Sequence, residues 1–223
     1  MSDLSLEKQA PYYIQFYHMI RQMIFDGKIQ PGERINETQL AKEFNVSKSP
    51  IREAVRILEK EGLLVVENSK VVVYEPTLKD VMDIYYCRMA LESFAVRLTT
   101  SIASDDDLAE IEAALRETEE AVQSKKDANT IITLNEKFHL LILTFTNNQH
   151  LQKQVSDLRG LIHFFRVLNF KGENRAQEIL NQHRSIFAFM KQRDEENAAE
   201  EMIRHLKLDT EHLVTLLPPT EEK

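Results

Sequence analysis

Between Thr77 and Pro218 the chain contains no proline and only two glycines, Gly160 and Gly172. Proline and glycine end helices and open turns. A stretch of about 140 residues almost free of both, with no alternating apolar run, reads as one helix after another. The spacing predicts helices over Leu78–Ile102, Asp105–Lys125, Ala128–Thr146, Gln149–Asn169, Arg175–Arg193 and Glu195–Leu217. Ser104, Asp127, Asn148, Asn174 and Asp194 stand at their starts as N-caps. Six consecutive helices with short connections imply an antiparallel bundle.

The preceding residues follow a different pattern. Pro76-Thr77 breaks the chain, and Thr77 caps a new helix with Asp80 in its first turn. The expected domains are therefore residues 1–76 and 77–223. Residues 1–9 are expected to fray. A helix follows from Tyr12 to Asp26, packed through Ile20, Met23 and Ile24 and ended by Gly27, with His18 as a partly exposed packing residue. Asn36 caps a short helix carrying the apolar stripe Leu40, Ala41 and Phe44, and Asn45 ends it in the left-handed region. Ser47 caps a second helix, which tolerates Pro50 in its first turn, turns Ile51, Val55 and Leu58 inward, and stops at Gly62. Two Val-rich strands follow, Leu63–Glu67 and Val71–Glu75. The class is mainly α: a winged helix-turn-helix followed by a helical bundle.

In a helix-turn-helix, the exposed N-terminal end of the second helix reaches base edges and phosphates in the major groove. Here that end carries Ser47, Lys48, Ser49 and Arg52. An ordinary helical hairpin with solvated charges would show the same periodicity. The net charge of −8 argues against a non-specific nucleic-acid coat but not against a local cationic reader. Residues 1–76 are nearly balanced, with 10 Lys+Arg against 11 Asp+Glu, and the acidic excess lies in residues 77–223, with 18 against 25. The single cysteine, Cys87, excludes an intramolecular disulfide and reads as a small core residue. With no apolar run of membrane-spanning length and no secretion signal at the start, a cytoplasmic protein is expected.

The string from Gly27 to Tyr74 resembles the N-terminal winged-helix domain of the GntR family of bacterial transcription regulators. The marks are Pro31-Gly32, Leu40-Ala41, Val46-Ser47, Ser49-Pro50, Arg52-Glu53-Ala54 and Gly62-Leu63. By that resemblance Thr38, Ser47, Lys48, Ser49 and Arg52 occupy DNA-contacting positions. The wing departs from the pattern, since Glu67–Val71 lacks the Arg-Gly often found at its tip, but Asn68-Ser69 can turn and Lys70 can reach a phosphate. Lys48 stands where Arg is usual, which removes a planar fork able to pair bidentately with guanine.

Within the helical part, Asn135 and His139 are four apart and share a helix face, and His183 and His205 follow in later helices beside apolar neighbours. Alone, each reads as an ordinary core or surface histidine. Together, three inward imidazoles are costly unless partnered, and one metal ion satisfies all three. Residues 78–217 resemble the FCD ligand-sensing domain of the FadR subfamily, through Tyr85–Glu92, Asn135–His139, Gln182-His183-Arg184 and Arg204-His205-Leu206. The resemblance implies a divalent metal, zinc or nickel, held by His139, His183 and His205, with Asn135 in place of the usual Asp. It also implies a small organic acid bound beside the metal. Arg88, whose guanidinium can grip a carboxylate bidentately, and Arg159, on a helix that reads equally as a solvated or interface face, are the candidate contacts. Arg88 has an alternative partner in Glu92, one turn on.

The function expected is a homodimeric transcriptional regulator, a repressor, that binds a short palindromic DNA operator under control of that acid. A regulator with the ion itself as signal is the alternative, and a metal-dependent hydrolase a distant one. No acid or base stands clearly beside the histidines, and Glu136 is expected to point elsewhere, so no enzyme is expected.

Overall fold

The computed structural model describes residues 10–217. The chain divides between Glu75 and Pro76 into two compact units. The expectation for residues 1–9 lies outside the described residues.

The first unit runs α1 (Tyr12–Phe25), α2 (Glu37–Glu43), α3 (Lys48–Lys60), β1 (Leu64–Glu67) and β2 (Lys70–Val73). Ile20 and Ile24 of α1 and Ile51, Ala54, Val55 and Leu58 of α3 form its core. The Asn36 side chain accepts from the Gln39 N–H, 3.1 Å away, and starts α2. Asn45 (φ 51°) and Gly62 (φ 76°) take left-handed conformations at the ends of α2 and α3. Ser47 stands at the start of α3 but makes no side-chain capping bond, so its hydroxyl stays free at the exposed helix end. Phe44 is 43% exposed and meets the unit through an edge contact with Phe16, its ring centroid 5.4 Å away.

The two strands pair antiparallel in the register Leu64–Val73 to Glu67–Lys70, around a turn in which Asn68 and Ser69 both have positive φ. That turn geometry matches the twist of the flanking strands. A further segment, absent from the sequence reading, pairs with β2 through an Arg34–Val72 bridge and the Ile35 N–H to Val71 O bond, 2.9 Å.

The second unit contains, among the described residues, α4 (Leu78–Ile102), α5 (Asp105–Gln123), α6 (Ala128–Phe145), α7 (Gln149–Asp157), α8 (Arg159–Asn169), α9 (Arg175–Lys191) and α10 (Glu195–Leu216). Reciprocal capping boxes at Thr77/Asp80 and Ser104/Asp107 start α4 and α5, satisfying two orphan donors each. The helix expected over Gln149–Asn169 is instead two. Leu158 closes a tight turn, its N–H on the Val155 carbonyl at 3.1 Å, and α8 restarts at Arg159. Asn174 is also a correction: it precedes α9 in a left-handed conformation (φ 62°) and its side chain makes no cap bond. Cys87 is exposed, on the outer face of α4, and not in the core.

Helix α10 lies along α4 and α9, while α5 packs on α6 and α9. Phe138, Ile142, Phe165, Leu180, Met190 and Leu206 fill the interior. Among the described residues no helix is long and apolar enough to cross a membrane.

Candidate metal centre and nucleic-acid interface

In the second unit, α6, α9 and α10 each turn one histidine into the bundle. Ring nitrogens of His139, His183 and His205 all lie within 4.8 Å of one another. The Nε2 atoms of His139 and His183 are 3.1 Å apart. Nitrogens bound to one ion at about 2.1 Å stand roughly 3.0–3.4 Å apart, so this pair already has chelating separation.

The outer nitrogens explain why the inner ones face together. His139 Nδ1 is 2.7 Å from Glu92 Oε2, and His205 Nδ1 is 2.7 Å from the Gln182 amide oxygen. The Gln182 amide oxygen only accepts, so His205 Nδ1 carries the proton, and the Glu92 charge at ion-pair distance favours the proton on His139 Nδ1, which turns both Nε2 lone pairs inward. A carboxylate behind a ligating histidine fixes ring orientation and strengthens its basicity. His183 is aligned by stacking on Phe138, with centroids 4.4 Å apart and planes at 18°.

Burial, with Arg166 nearby, pushes His139 down to about 3. Burial and the two neighbouring imidazoles hold His183 well below its ordinary value, and burial also lowers His205. All three are therefore neutral near pH 7, the form that ligates a metal.

A small cavity of about 20 Å³ adjoins the rings and is lined by Asn135, Asn169, Arg166 and Asp209 as well. It has room for a single water-sized occupant. Asn135 Oδ1 and His205 Nε2 are buried in it with no hydrogen-bond partner among the described residues. Unsatisfied buried acceptors converging on one small space fit a cation. Three imidazoles and an amide oxygen suit zinc or nickel.

Asp209, which the sequence reading missed, lies one turn from His205, its Oδ2 3.7 Å from His205 Nε2. The other oxygen of Asp209 accepts from Arg175 at 2.7 Å. The four-residue spacing that marks Asn135 and His139 would also have found Asp209.

A second, larger cavity of about 230 Å³ opens beside the histidines. Glu92, Glu136, His139, Arg159 and Arg166 form its polar side. Burial alone would raise Glu136, but His163 and Arg166 outweigh it and hold the carboxylate well below the usual range. It bonds Arg159 at 2.9 Å and His163 at 3.0 Å. Glu136 thus does reach the site, contrary to expectation, but as a fixed anion.

Arg159 lines the cavity as expected. Arg88 does not; its guanidinium is buried and grips Glu92 at 2.7 Å, the alternative the sequence left open. The cation free to meet a ligand is Arg166, which lines both cavities and has no ion-pair partner among the described residues. Its place two turns after Arg159 was the sequence signal, ambiguous without helix rotation.

In the first unit, Thr38, Ser47, Lys48, Ser49 and Arg52 are all exposed around the start of α3, and Lys70 is exposed on the wing. Arg52 Nε bonds Glu37 at 3.0 Å, an exposed pair that gives way to a phosphate at little cost.

Comparison with known proteins accords with both halves. Residues 12–72 match the family described as bacterial regulatory proteins, gntR family, and residues 83–208 match the FCD domain. The chain is 45% identical over 223 residues to an uncharacterized HTH-type transcriptional regulator, YdhC, of Bacillus subtilis, covering all of both chains. It is 30% identical over 192 residues to the Nta operon transcriptional regulator of Aminobacter aminovorans, covering 84% of this chain and 88% of that one. Its fold resembles that of the solved structure of Escherichia coli McbR/YncC, with a TM-score of 0.75 at 24% identity over 93% of this chain and 99% of the other. The helix-turn-helix, the histidine-bearing bundle and these matches together place the chain in the GntR family of transcriptional regulators, in its FadR-like, FCD-containing branch.

Proposed function

We propose that this regulator is a cytoplasmic homodimeric repressor whose operator affinity is set by a small carboxylate bound beside a divalent metal. The observation that carries the reading is the convergence of three buried neutral imidazoles on one small space, next to a cavity lined by an arginine with no carboxylate partner among the described residues. A divalent ion there would supply positive charge and open positions for a carboxylate oxygen. The chain's own residues divide the remaining work. Glu92 and Gln182 orient the rings, Arg166 offers a guanidinium to the anion, and Glu136 holds Arg159 at the cavity wall.

On the DNA side, two copies related by a two-fold axis would present two α3 helices to a short palindrome. Ser47, Lys48, Ser49 and Arg52 would enter the major groove, with Thr38 and Lys70 on the backbone. Tyr86 and Phe94, 59% and 51% exposed on α4, support a protein–protein contact in this unit. Repression needs only operator occupancy, which such a dimer provides without any further surface. The acid acts through unequal affinity for two arrangements of the protein.

The test is elemental analysis of the purified protein beside a His139→Ala, His183→Ala variant, followed by operator titrations with carboxylic acids. About one equivalent of metal in the wild type, lost in the variant, and operator release by an acid only in the wild type are expected. No metal after loading would sink the metal-assisted reading. Operator binding that follows metal concentration with no acid present would make the ion itself the signal.

A further inference from the structure

The larger cavity has a charged end and a mainly apolar wall. Its charged end and its walls make different demands, and the two can be read separately.

At the charged end the chain itself offers one unpaired cation, beside the place of the ion that the histidines would hold. Glu92 is bonded to Arg88 and His139, and Glu136 to Arg159 and His163. Arg166 alone among the cavity's cations has no carboxylate within ion-pair distance among the described residues. A first carboxylate meets this free guanidinium in a setting of reduced dielectric, where bidentate pairing is strong. A second carboxylate on the same small molecule would face Glu92 and Glu136, whose own pairing with Arg88, His139, Arg159 and His163 leaves no cation for it.

The walls are mainly aliphatic. Leu140, Ile142, Leu143, Val155, Ile162 and Met202 line the space beyond the arginine, with Ser156 and with Thr144 and Gln152, which already donate to backbone carbonyls. Hydroxyl groups seated against the aliphatic part of such a wall lose their hydrogen bonds to water and gain none. Methylene groups gain by leaving water. At about 30 Å³ per water-sized group, the roughly 230 Å³ of the cavity holds on the order of eight non-hydrogen atoms.

We infer that the effector is a monocarboxylate with a compact apolar tail, its carboxylate on Arg166 and its tail against the aliphatic wall. Polyhydroxylated acids and di- or tricarboxylates are disfavoured. The inference rests on the reading that an anionic effector binds beside the histidines, and it adds the chemical class.

The experiment is calorimetric titration of the full-length, metal-loaded protein with propanoate, butanoate, pentanoate, hexanoate and decanoate, beside gluconate, succinate and citrate. Affinity is expected to rise about fourfold per methylene, or about 60-fold from propanoate to hexanoate, and to stop rising by decanoate. Arg166→Gln is expected to weaken hexanoate more than tenfold, and hexan-1-ol to bind far more weakly than hexanoate. A flat chain-length series, or gluconate, succinate or citrate binding more tightly than hexanoate, overturns the inference while leaving an anionic effector in place. Should no acid bind at all, the anionic-effector reading falls and the inference with it. The chain-length series uses only the native protein, so the outcome stands even if Arg166→Gln does not fold.

Discussion

The Nε2 atoms of His139 and His183 lie 3.1 Å apart, each ring held from behind, by Glu92 in one case and by stacking on Phe138 in the other. Two nitrogens brought this close either share a proton or share a cation. The Glu92 carboxylate decides for His139, because its charge beside the ring draws the proton to Nδ1 and leaves the inward nitrogen as an acceptor.

Glu92→Gln is the direct check of that arrangement. The amide keeps the shape but not the charge, so metal affinity should fall roughly 10- to 100-fold. The same change leaves the buried Arg88 without its anion, which should cost about 3–5 kcal/mol of stability. Competition with a chromophoric chelator and urea denaturation read the two effects separately. Unchanged metal affinity would remove Glu92 from the site's chemistry.

Acid should destabilise the metal-stripped protein early. Folding lowers the affinity of His139 for a proton from the ordinary value of 6.5 to about 3, and His183 and His205 shift the same way. The unfolded chain therefore binds more protons than the folded one below about pH 6.5. Stability is full above that pH and declines as pH falls toward 3. Between pH 7 and 5.5, above the carboxylate range, melting temperature should drop, and His183→Phe should flatten the slope. A level profile in wild type would contradict it.

Arg175 is a second buried guanidinium. It bonds Asp209 at 2.7 Å, Asn169 at 3.2 Å and the exposed Glu178 at 3.0 Å, linking the start of α9 to α10. Arg175→Met should leave Asp209 uncompensated and cost about 3–5 kcal/mol. A loss below about 1 kcal/mol, the range of an exposed pair, would mean that water reaches the carboxylate.

On the DNA side, Lys48→Ala should weaken operator binding about equally across sequence variants and lower the salt slope by about 1. Lys48→Arg should instead sharpen discrimination at one base pair, by about 1–3 kcal/mol if the fork meets guanine. Fluorescence anisotropy at several salt concentrations, with single-base operator variants, distinguishes the two. No response to either change would take Lys48 off the interface.

How much of this was legible in the sequence depended on how local the signal was. The start of α4 was readable because Thr77 and Asp80 form a box within four residues. The histidines were readable because Asn135 and His139 repeat at one helical turn beside apolar neighbours. The break at Leu158 was not. The apolar pattern runs on through it, and the turn is made by a backbone bond to Val155 that no side chain announces. Arg88 and Arg166 show the same limit from the other side. Both are arginines on helices that turn toward the bundle, yet one is consumed by Glu92 and the other is not. Helix rotation decides that, and rotation is set by packing across the whole bundle. The positions of Cys87 and Glu136 were misjudged for this same reason.

The break at Leu158 has a mechanical consequence. Gln152, Val155 and Ser156 face the larger cavity from α7, and Arg159, Ile162 and Arg166 face it from α8. That wall is thus built from two short helices that meet at a single residue. A molecule resting on Val155 and Ile162 at once would lie across the joint like a splint, and would tie the two short rods to one another.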